Sequence, residues 1–586
     1  MRTFFKMFFA AILALIVFCG VIFLVFSLII GGLMATDVAK VPAKSVLFID
    51  LSRNFSEKRV ENPIQYFTGN VEDEVPTLYE LTRMIRKAKT DSSIKGIYIK
   101  SNNNVNGYAA SEELRNELIN FKKSGKFVYA YGEYITQQAY NVSSVANKIY
   151  CNPKGMFDWT GLSVEYAYFK NLLSKLEIEP QIFYDGKFKS ATEPFREEKM
   201  TEANRLQTSV WLGDIYQHLL QNTSTSRGVD TATLRRYANE YTVETPQNAV
   251  NFKLIDGVRY DDEIKDEIKK KLKLQADDKI NFISPGTYMH AVMIGDYGKT
   301  DKIAVVMAEG EIVEGKSEDG QIGSDEYRNL IRKLRYNKDV KAIVLRINSP
   351  GGSSLASEII WRELYLAKKA GKPIVVSMGD VAASGGYYMA CIADSIFAQQ
   401  NTITGSIGVF AMIPNMESFF KNKLGVTFDR VKTSEYAGAL TITKPLNTQE
   451  RKIIQREVDR IYGDFISRVA EGRKKDTAYI GSIAQGRVWT GERAVGIGLV
   501  DKIGGIEEAI RSAAILAKIK DYNIREYPEP KSPFDLIFRS FSSMNQSKIL
   551  DEELGKENAA LYRRMKQIKE NIGVIQARMP FEWKWN

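Results

Sequence analysis

A serine in a glycine-flanked turn and a lysine among aromatic and small residues are the two side chains in this sequence best placed for acyl transfer. The serine is Ser384, in Gly379-Asp-Val-Ala-Ala-Ser-Gly-Gly-Tyr387, and the lysine is Lys189, in Gly186-Lys-Phe-Lys-Ser-Ala-Thr-Glu-Pro-Phe195. A serine hydroxyl is a weak nucleophile until a base takes its proton. The chain has only two histidines, His218 and His290, and neither flanks a glycine-rich loop. A lysine can serve when burial lowers its pKa enough to leave the amine neutral. Lys189 has Phe188, Ala191 and Phe195 as neighbours, which suits such burial, although Lys187 lies only two residues away. A second loop, Asn348-Ser-Pro-Gly-Gly352, could present backbone amides to a developing oxyanion, because proline fixes one φ and paired glycines turn freely.

Taken singly, these features have plainer readings. Pro-Gly-Gly is commonly just a turn, Ser384 reads equally as a helix N-cap, and most lysines beside an aromatic are surface lysines. Together the two loops follow sequential strands with one helix between them. In an open α/β sheet, that position at the carboxyl ends of strands is where ligands bind. A serine at a strand-to-helix turn follows the logic of a nucleophile elbow without its Gly-x-Ser-x-Gly spelling.

The elements that must position these groups occur twice. At an offset of 246, Lys95, Asn102, Ser111-Glu112 and Lys122 fall on Lys341, Asn348, Ser357-Glu358 and Lys368. At an offset of 247, Gly132, Tyr140, Ala146 and Ile149 fall on Gly379, Tyr387, Ala393 and Ile396. A period this long means two tandem domains of one fold rather than a solenoid. In each copy apolar strands alternate with amphipathic helices. The strands are Val46–Asp50, Gly96–Ile99 and Phe127–Ala130, with counterparts at Ile303–Met307, Ala342–Ile347 and Ile374–Ser377. This pattern predicts an α/β fold with a largely parallel sheet. The copies differ where chemistry would sit. Ser384 falls on Gln137, the Pro-Gly-Gly loop falls on Asn102-Asn-Asn-Val-Asn106, and Lys189 falls near Tyr436. Each half keeps what the other has lost, which puts the predicted site across the boundary between them.

The rest of the chain sets the context. Residues Met7 to Thr36 carry no charge, and Arg2 and Lys6 precede them. The run is long enough to span a bilayer and ends without a good cleavage site, so an uncleaved anchor with a cytoplasmic N-terminus is expected over a cleaved leader. The net charge of +10 is scattered without a basic run, which argues for a solvated surface and against nucleic acid. The three cysteines, Cys19, Cys151 and Cys391, show neither a disulfide framework nor metal spacing, and no metal or cofactor is expected. Thr201–Tyr260 and Thr448–Gly472 read as matching helical regions, the first with a stripe from Trp211 to Leu220 suited to core or to a bridge between domains. The expected divisions are an anchor at 1–36, a first repeat at 37–274, a linker at 275–302, a second repeat at 303–525 and an extension at 526–586. The extension reads as peripheral, with one charged helix near Leu550–Asn571.

Four motifs carry a resemblance over nearly everything from the anchor to about residue 525. Ala383-Ser-Gly-Gly-Tyr-Tyr388, Ser349-Pro-Gly-Gly352, Thr404-Gly-Ser-Ile-Gly408 and Phe188-Lys-Ser-Ala-Thr-Glu-Pro-Phe195 resemble the long form of the bacterial signal peptide peptidase A (protease IV) family. The resemblance implies a tandem Clp-protease/crotonase-like α/β fold and a Ser-Lys peptidase that hydrolyses signal peptide remnants. It assigns Ser384 as nucleophile and Lys189, rather than Lys187, as general base. Gly352 and Gly385, with Gly351 as a third candidate, would form the oxyanion hole, and Ser406 would orient the lysine. It also implies a homotetramer on the outer face of the cytoplasmic membrane with a groove for hydrophobic peptides. Two rival readings are a crotonase-like enzyme acting on acyl-CoA and a non-catalytic membrane scaffold. The first gives Ser384 and Lys189 no role, and the second predicts that Ser384 resists acylating probes.

Overall fold

The computed structural model describes residues 2–34, 41–59, 73–292, 300–317, 320–529 and 575–579. A helix, Arg2–Met34, comes first. Its Arg2–Ile22 portion is the one helix among the described residues long and apolar enough to cross a membrane, and none of that stretch is buried in the protein. Residues 35–40, which follow it, lie outside the described residues, as does the expected charged helix at 550–571.

Each repeat is built on its own sheet, parallel throughout in the first and parallel in the second except where Ile403–Gly405 pairs antiparallel with Val488–Thr490. The first has six strands in the order Gly257–Val258, Lys148–Phe157, Phe127–Ile135, Ile94–Lys100, Ser45–Asp50 and Phe282–Ile283. The second has eight, in which Ile374–Ala383, Val340–Ser349 and Lys302–Glu309 run side by side and Asn523–Tyr527 forms the edge beside Lys302–Glu309. Helices cover both faces, so the central strands read as continuous apolar runs rather than alternating ones. Ile343, Val344, Leu345 and Ile347 are all fully buried.

The duplication persists in individual hydrogen bonds. Lys122 Nζ donates to the Val145 carbonyl, and its counterpart Lys368 donates to Ile392. The Tyr140 hydroxyl donates to the Leu254 carbonyl, and Tyr387 to Leu499. The Ile149 amide donates to the Asp256 carboxylate, and Ile396 to Asp501. These are buried or half-buried polar groups, each of which must find a partner on folding. The two copies have kept one solution.

Three sequence expectations change in detail. The helical region from Thr201 becomes three helices, Glu202–Arg227, Thr231–Asn239 and Pro246–Asn251. Gly228 ends the first in a left-handed cap, and Pro246 can only open a helix. The expected linker supplies Phe282–Ile283, which pairs in parallel with Val46–Leu47 at the edge of the first sheet. The expected peripheral extension sends Gln576–Arg578 into the middle of a third sheet. The short alternating segment Ile575-Gln-Ala-Arg-Met579 can pair as a strand wherever two edges are open, and local sequence does not say where.

That third sheet joins the repeats. Its order is Gln321–Gly323, Glu311–Val313, Gly351–Ser353, Gln576–Arg578, Val409–Asn415 and Glu179–Asp185. The last strand comes from the first repeat and pairs antiparallel with Val409–Asn415 from Val409↔Asp185 to Asn415↔Glu179. Its Phe183 is buried in the second repeat's core. The stripe on helix Glu202–Arg227 also bridges. Leu219 and Leu220 pack in the first core, while Trp211 and Ile215 pack with Val381, Ala383, Ile403 and Val488.

Candidate active site

The bridging strand determines where Lys189 lies. Glu179–Asp185 runs alongside Val409–Asn415, so its end lies beside the Ser406-Ile-Gly408 turn that opens the partner strand. Gly186 then turns the chain, and Lys189 follows within one tight loop closed by its amide donating to the Gly186 carbonyl at 3.1 Å. From the other side, strand Ile374–Ala383 ends at Ser384, the residue before helix Gly385–Ala390. Lys189 Nζ lies 2.9 Å from Ser384 Oγ, although 195 residues separate them in sequence. The lysine is 1% exposed and the serine 0%.

The surroundings favour a neutral amine. Burial holds the Lys189 amine well below the ordinary lysine range, because the ammonium would have to leave water. Among the described residues no carboxylate bonds to it. Its other partners are the Ser406 carbonyl and the Ser406 hydroxyl, both at 3.2 Å. A neutral amine has two N–H donors and one lone pair. With the donors directed to the two Ser406 oxygens, the lone pair is left for the Ser384 proton. Lys187, the rival amine, lies over the Phe188 ring instead.

Both serines have unusual backbones. Ser384 has φ 54° and ψ −115°, and Ser406 has φ 49°. Non-glycine residues rarely adopt positive φ, and they keep it only where the surroundings enforce it. Here the Ser384 amide donates to the Gly405 carbonyl at 2.8 Å, and the Ser406 amide to Arg487 at 2.7 Å.

The glycines divide by what their amides do. Gly351 has φ +100° and donates its N–H to Ser349 Oγ at 3.2 Å, so its amide is already occupied. Gly385 is the first residue of its helix, where an N–H has no partner within the helix. The Gly352 amide is fixed by the ladder between Gly351–Ser353 and Gln576–Arg578. In that ladder Met579 N donates to the Pro350 carbonyl at 2.7 Å and Ser354 N to the Ile575 carbonyl at 3.2 Å. Bonded and non-bonded pairs alternate along an antiparallel ladder. The bonded pair between those two is therefore Gly352 with Ala577, and the Gly352 N–H faces into the slot where a strand lies.

The first repeat has closed its own version of these loops. Gln137, at the serine's equivalent position, exchanges two bonds with Gly161, at 2.7 and 3.0 Å. In the loop that replaced Pro-Gly-Gly, Asn104 bonds Ser111 and Asn106 bonds the Phe55 amide. His218 pairs with Glu112 and His290 with Glu74, so both histidines have partners other than Lys189 and Ser384.

Sequence reading missed the turn Gln485–Arg487, which holds the lysine loop. The Phe188 amide donates to the Gln485 carbonyl at 2.8 Å, and Gly486 N donates to the Ile407 carbonyl at 2.7 Å. Gly486 has φ +72°, and a Cβ there would sit 2.7 Å from both the Cβ and the amide nitrogen of Lys189. Only glycine allows that approach. Gly486→Ala is therefore expected to push Lys189 off Ser384 and lower kcat on the order of 10²-fold, the usual cost of about 1 Å of misplacement. Steady-state kinetics on the folded variant checks this, and an unchanged kcat would show that the lysine loop tolerates the displacement. The signal in sequence was one glycine in Gly481-Ser-Ile-Ala-Gln-Gly486, indistinguishable from any turn.

Comparison with known proteins agrees with the architecture. The profile of Peptidase family S49 matches residues 120–275 and 366–520, once in each repeat. The chain belongs to peptidase family S49. Its S49 relatives include Protease 4 of Salmonella typhi, 36% identical over 475 residues, which are 80% of this chain and 76% of that protein. Protease 4 of Haemophilus influenzae is 33% identical over 538 residues, covering 88% and 87% of the two chains. The chloroplastic serine protease SPPA of Arabidopsis thaliana is 33% identical over 479 residues, covering 80% and 70%. Among solved structures, a ClpP1 mutant from Listeria monocytogenes aligns over 35% of this chain and 94% of its own, with 16% identity and a TM-score of 0.24. This S49 chain is thus a two-repeat α/β peptidase of the long form.

Proposed function

We propose that the protein is a membrane-anchored serine endopeptidase in which Ser384 is the nucleophile and Lys189 the general base. The observation that carries the reading is the 2.9 Å approach of the Lys189 amine to the Ser384 hydroxyl, with both groups buried. That distance is within the reach a base needs to abstract a proton. The neutral amine takes the Ser384 proton as Oγ attacks the peptide carbonyl. The Gly352 and Gly385 amides receive the oxyanion. The protonated lysine then donates to the departing amine as the C–N bond breaks. Water attacks the acyl-serine with Lys189 again as base, and this releases the carboxylic acid and restores both groups. Ser406 orients the amine throughout.

The substrates proposed are signal peptide remnants and other hydrophobic peptides, met at the outer face of the cytoplasmic membrane by a homotetramer. The uncovered apolar helix Arg2–Ile22 and the similarity to the Protease 4 chains support this. Ser384→Ala is the direct test. With its fold retained, turnover of an apolar peptide is expected to fall on the order of 10⁴-fold or more. Hydrolysis at the wild-type rate would remove Ser384 from the mechanism.

A further inference from the structure

Lys189 is the central residue of a very small turn. The Ser190 amide donates to the Phe188 carbonyl at 2.8 Å, and Lys189 between them has φ −74° and ψ 78°. That is an inverse γ-turn, in which three residues close on one hydrogen bond. A turn this small has few bonds of its own, so the place of its side chain depends on outside partners. Helix Glu202–Arg227 supplies one. Its Gln207, 1% exposed, reaches both ends of the turn, with Nε2 donating to the Phe188 carbonyl at 3.1 Å and to Ser190 Oγ at 3.0 Å. On the other side, Gln207 Oε1 accepts the Val488 amide at 3.3 Å. Val488 pairs with Gly405, whose carbonyl accepts the Ser384 amide at 2.8 Å. One amide side chain thus joins the lysine turn to the strands that hold the serine.

We propose that Gln207 is a positioning residue for the Lys189 base, and that Asn204 and Glu193 fix which way its amide faces. This rests on the reading of Lys189 as base given above. The Lys189 amine bonds Ser384 and Ser406 and none of these three residues, so they act through the turn rather than on the amine.

The orientation follows from donors and acceptors. An amide side chain can turn end for end, and its partners decide which end is nitrogen. Glu193 is 2% exposed, and a carboxylate offers acceptors only. Its Oε1 accepts the Thr201 hydroxyl at 2.6 Å, and its Oε2 accepts Asn204 Nδ2 at 2.9 Å. Asn204 must therefore turn its Oδ1 away from Glu193, and that oxygen accepts Gln207 Nε2 at 3.2 Å. With its nitrogen committed to Asn204 and the lysine turn, Gln207 has its oxygen left for Val488. Reversed, Gln207 would set oxygen against the Phe188 carbonyl and the Asn204 oxygen, and the Val488 amide would lose its acceptor. One carboxylate thus sets the direction of two amides in series. A buried network in which every member is satisfied specifies a single arrangement. Glu193 lies four residues after Lys189, so the network returns to the segment it braces.

In the full chain, Gln207→Met keeps most of the volume and removes all of these bonds. Per folded molecule, kcat on an apolar peptide is expected to fall about tenfold while KM stays within about twofold, because the base is displaced and substrate binding is not touched. The ascending limb of kcat/KM should also move to higher pH, since a loosened turn lets water reach the amine. A merely structural role would lower the folded fraction and leave these per-molecule values alone, so a wild-type kcat and limb would overturn the proposal. Where Gln207→Met is too unstable to purify, a charge swap carries the test. Asn204→Asp sets two carboxylates against each other and should lose about tenfold in kcat. Adding Glu193→Gln moves the carboxylate one link along. There it accepts from the new amide on one side and from Gln207 on the other, and kcat should return to within about threefold of wild type. No loss in the single variant, or equal loss in single and double, would overturn the proposal. Lys189→Met separates this from the reading beneath it. If that variant hydrolyses peptide at the wild-type rate, Lys189 is not the base and there is nothing for Gln207 to position. If it is inactive while Gln207→Met and Asn204→Asp turn over like wild type, the base stands and the positioning role alone fails.

Discussion

Lys189→Met should abolish peptide hydrolysis, with turnover falling on the order of 10⁴-fold or more, as expected when one member of a nucleophile–base unit is removed. Lys189→Arg should do no better. A guanidinium keeps its proton at any accessible pH, so it can sit near Ser384 without ever accepting a proton. The contrast matters because arginine preserves charge and length. If Lys189 acted as a fixed positive charge, arginine would restore much of the rate; as a base, it restores none. The pH profile gives an independent readout. The working form is the neutral amine, so kcat/KM should rise with pH through the Lys189 pKa and level off above it. Burial holds that pKa well below the ordinary lysine range, so the ascending limb should lie well below pH 10.5. A limb near 10.5 would mean an exposed lysine and would contradict the packing seen here.

The same burial has a thermodynamic consequence. Between the depressed folded pKa and the unfolded value near 10.5, the unfolded lysine carries a proton that the folded one lacks. The unfolded state therefore binds more protons, and unfolding free energy rises with pH across that window. Lys189→Met has no such dependence. The variant should be the more stable protein at neutral pH, with an advantage that shrinks as pH rises toward 10.5. Melting temperatures of the two proteins across that range test this, and a constant difference would show that Lys189 is not buried neutral. A residue that lowers stability while enabling chemistry is expected at a functional site.

How much of this was legible depended on whether the signal was local. Strands such as Ile374–Ala383 and the helix Ser354–Lys369 announce themselves by apolar runs and helical spacing, and the duplication is plain at fixed offsets. Ser384 and the two glycine loops could be found because turns at strand ends use few residue types. The meeting of Lys189 with Ser384 could be argued only from complementarity between the copies. What produces it, the crossing of Glu179–Asp185 into the second repeat's sheet, leaves no local trace, because strand pairing between distant segments has no period in sequence. The Gln576–Arg578 strand was hidden for the same reason. Arg346 did leave a signal. It is the one charge in the apolar run Ala342-Ile-Val-Leu-Arg-Ile347, and a charge buried in such a strand must have a partner.

Arg346→Met tests that partner set and should be the most destabilising single change at the seam, costing about 3–5 kcal/mol. The Arg346 side chain is 0% exposed. Its guanidinium pairs with Glu57 at 2.6 Å and Glu113 at 2.7 Å, both from the first repeat, and donates to Ser377 Oγ at 2.8 Å. Removing it leaves two buried carboxylates facing each other. Glu113 already has its pKa pushed up to about 7 by burial, so it has little margin before it takes a proton. Nearby, Asp380 accepts the Ala109 and Ala110 amides at 2.8 and 3.0 Å, a second tie from one repeat to the helix of the other. Arg346 lies a few residues before the glycine loop and Asp380 four before Ser384, so these ties fix the strands that lead to both against the repeat that carries Lys189. Peptide hydrolysis should therefore fall together with the denaturation midpoint. The triple change Arg346→Met, Glu57→Leu, Glu113→Leu separates the two possible causes. If stranded charge is the damage, replacing the whole cluster with apolar side chains recovers most of the stability, since buried ion pairs roughly balance their own desolvation. If the triple variant unfolds as readily as the single one, the cluster holds the seam by its hydrogen bonds, and its geometry is what the second repeat needs to keep Ser384 facing Lys189.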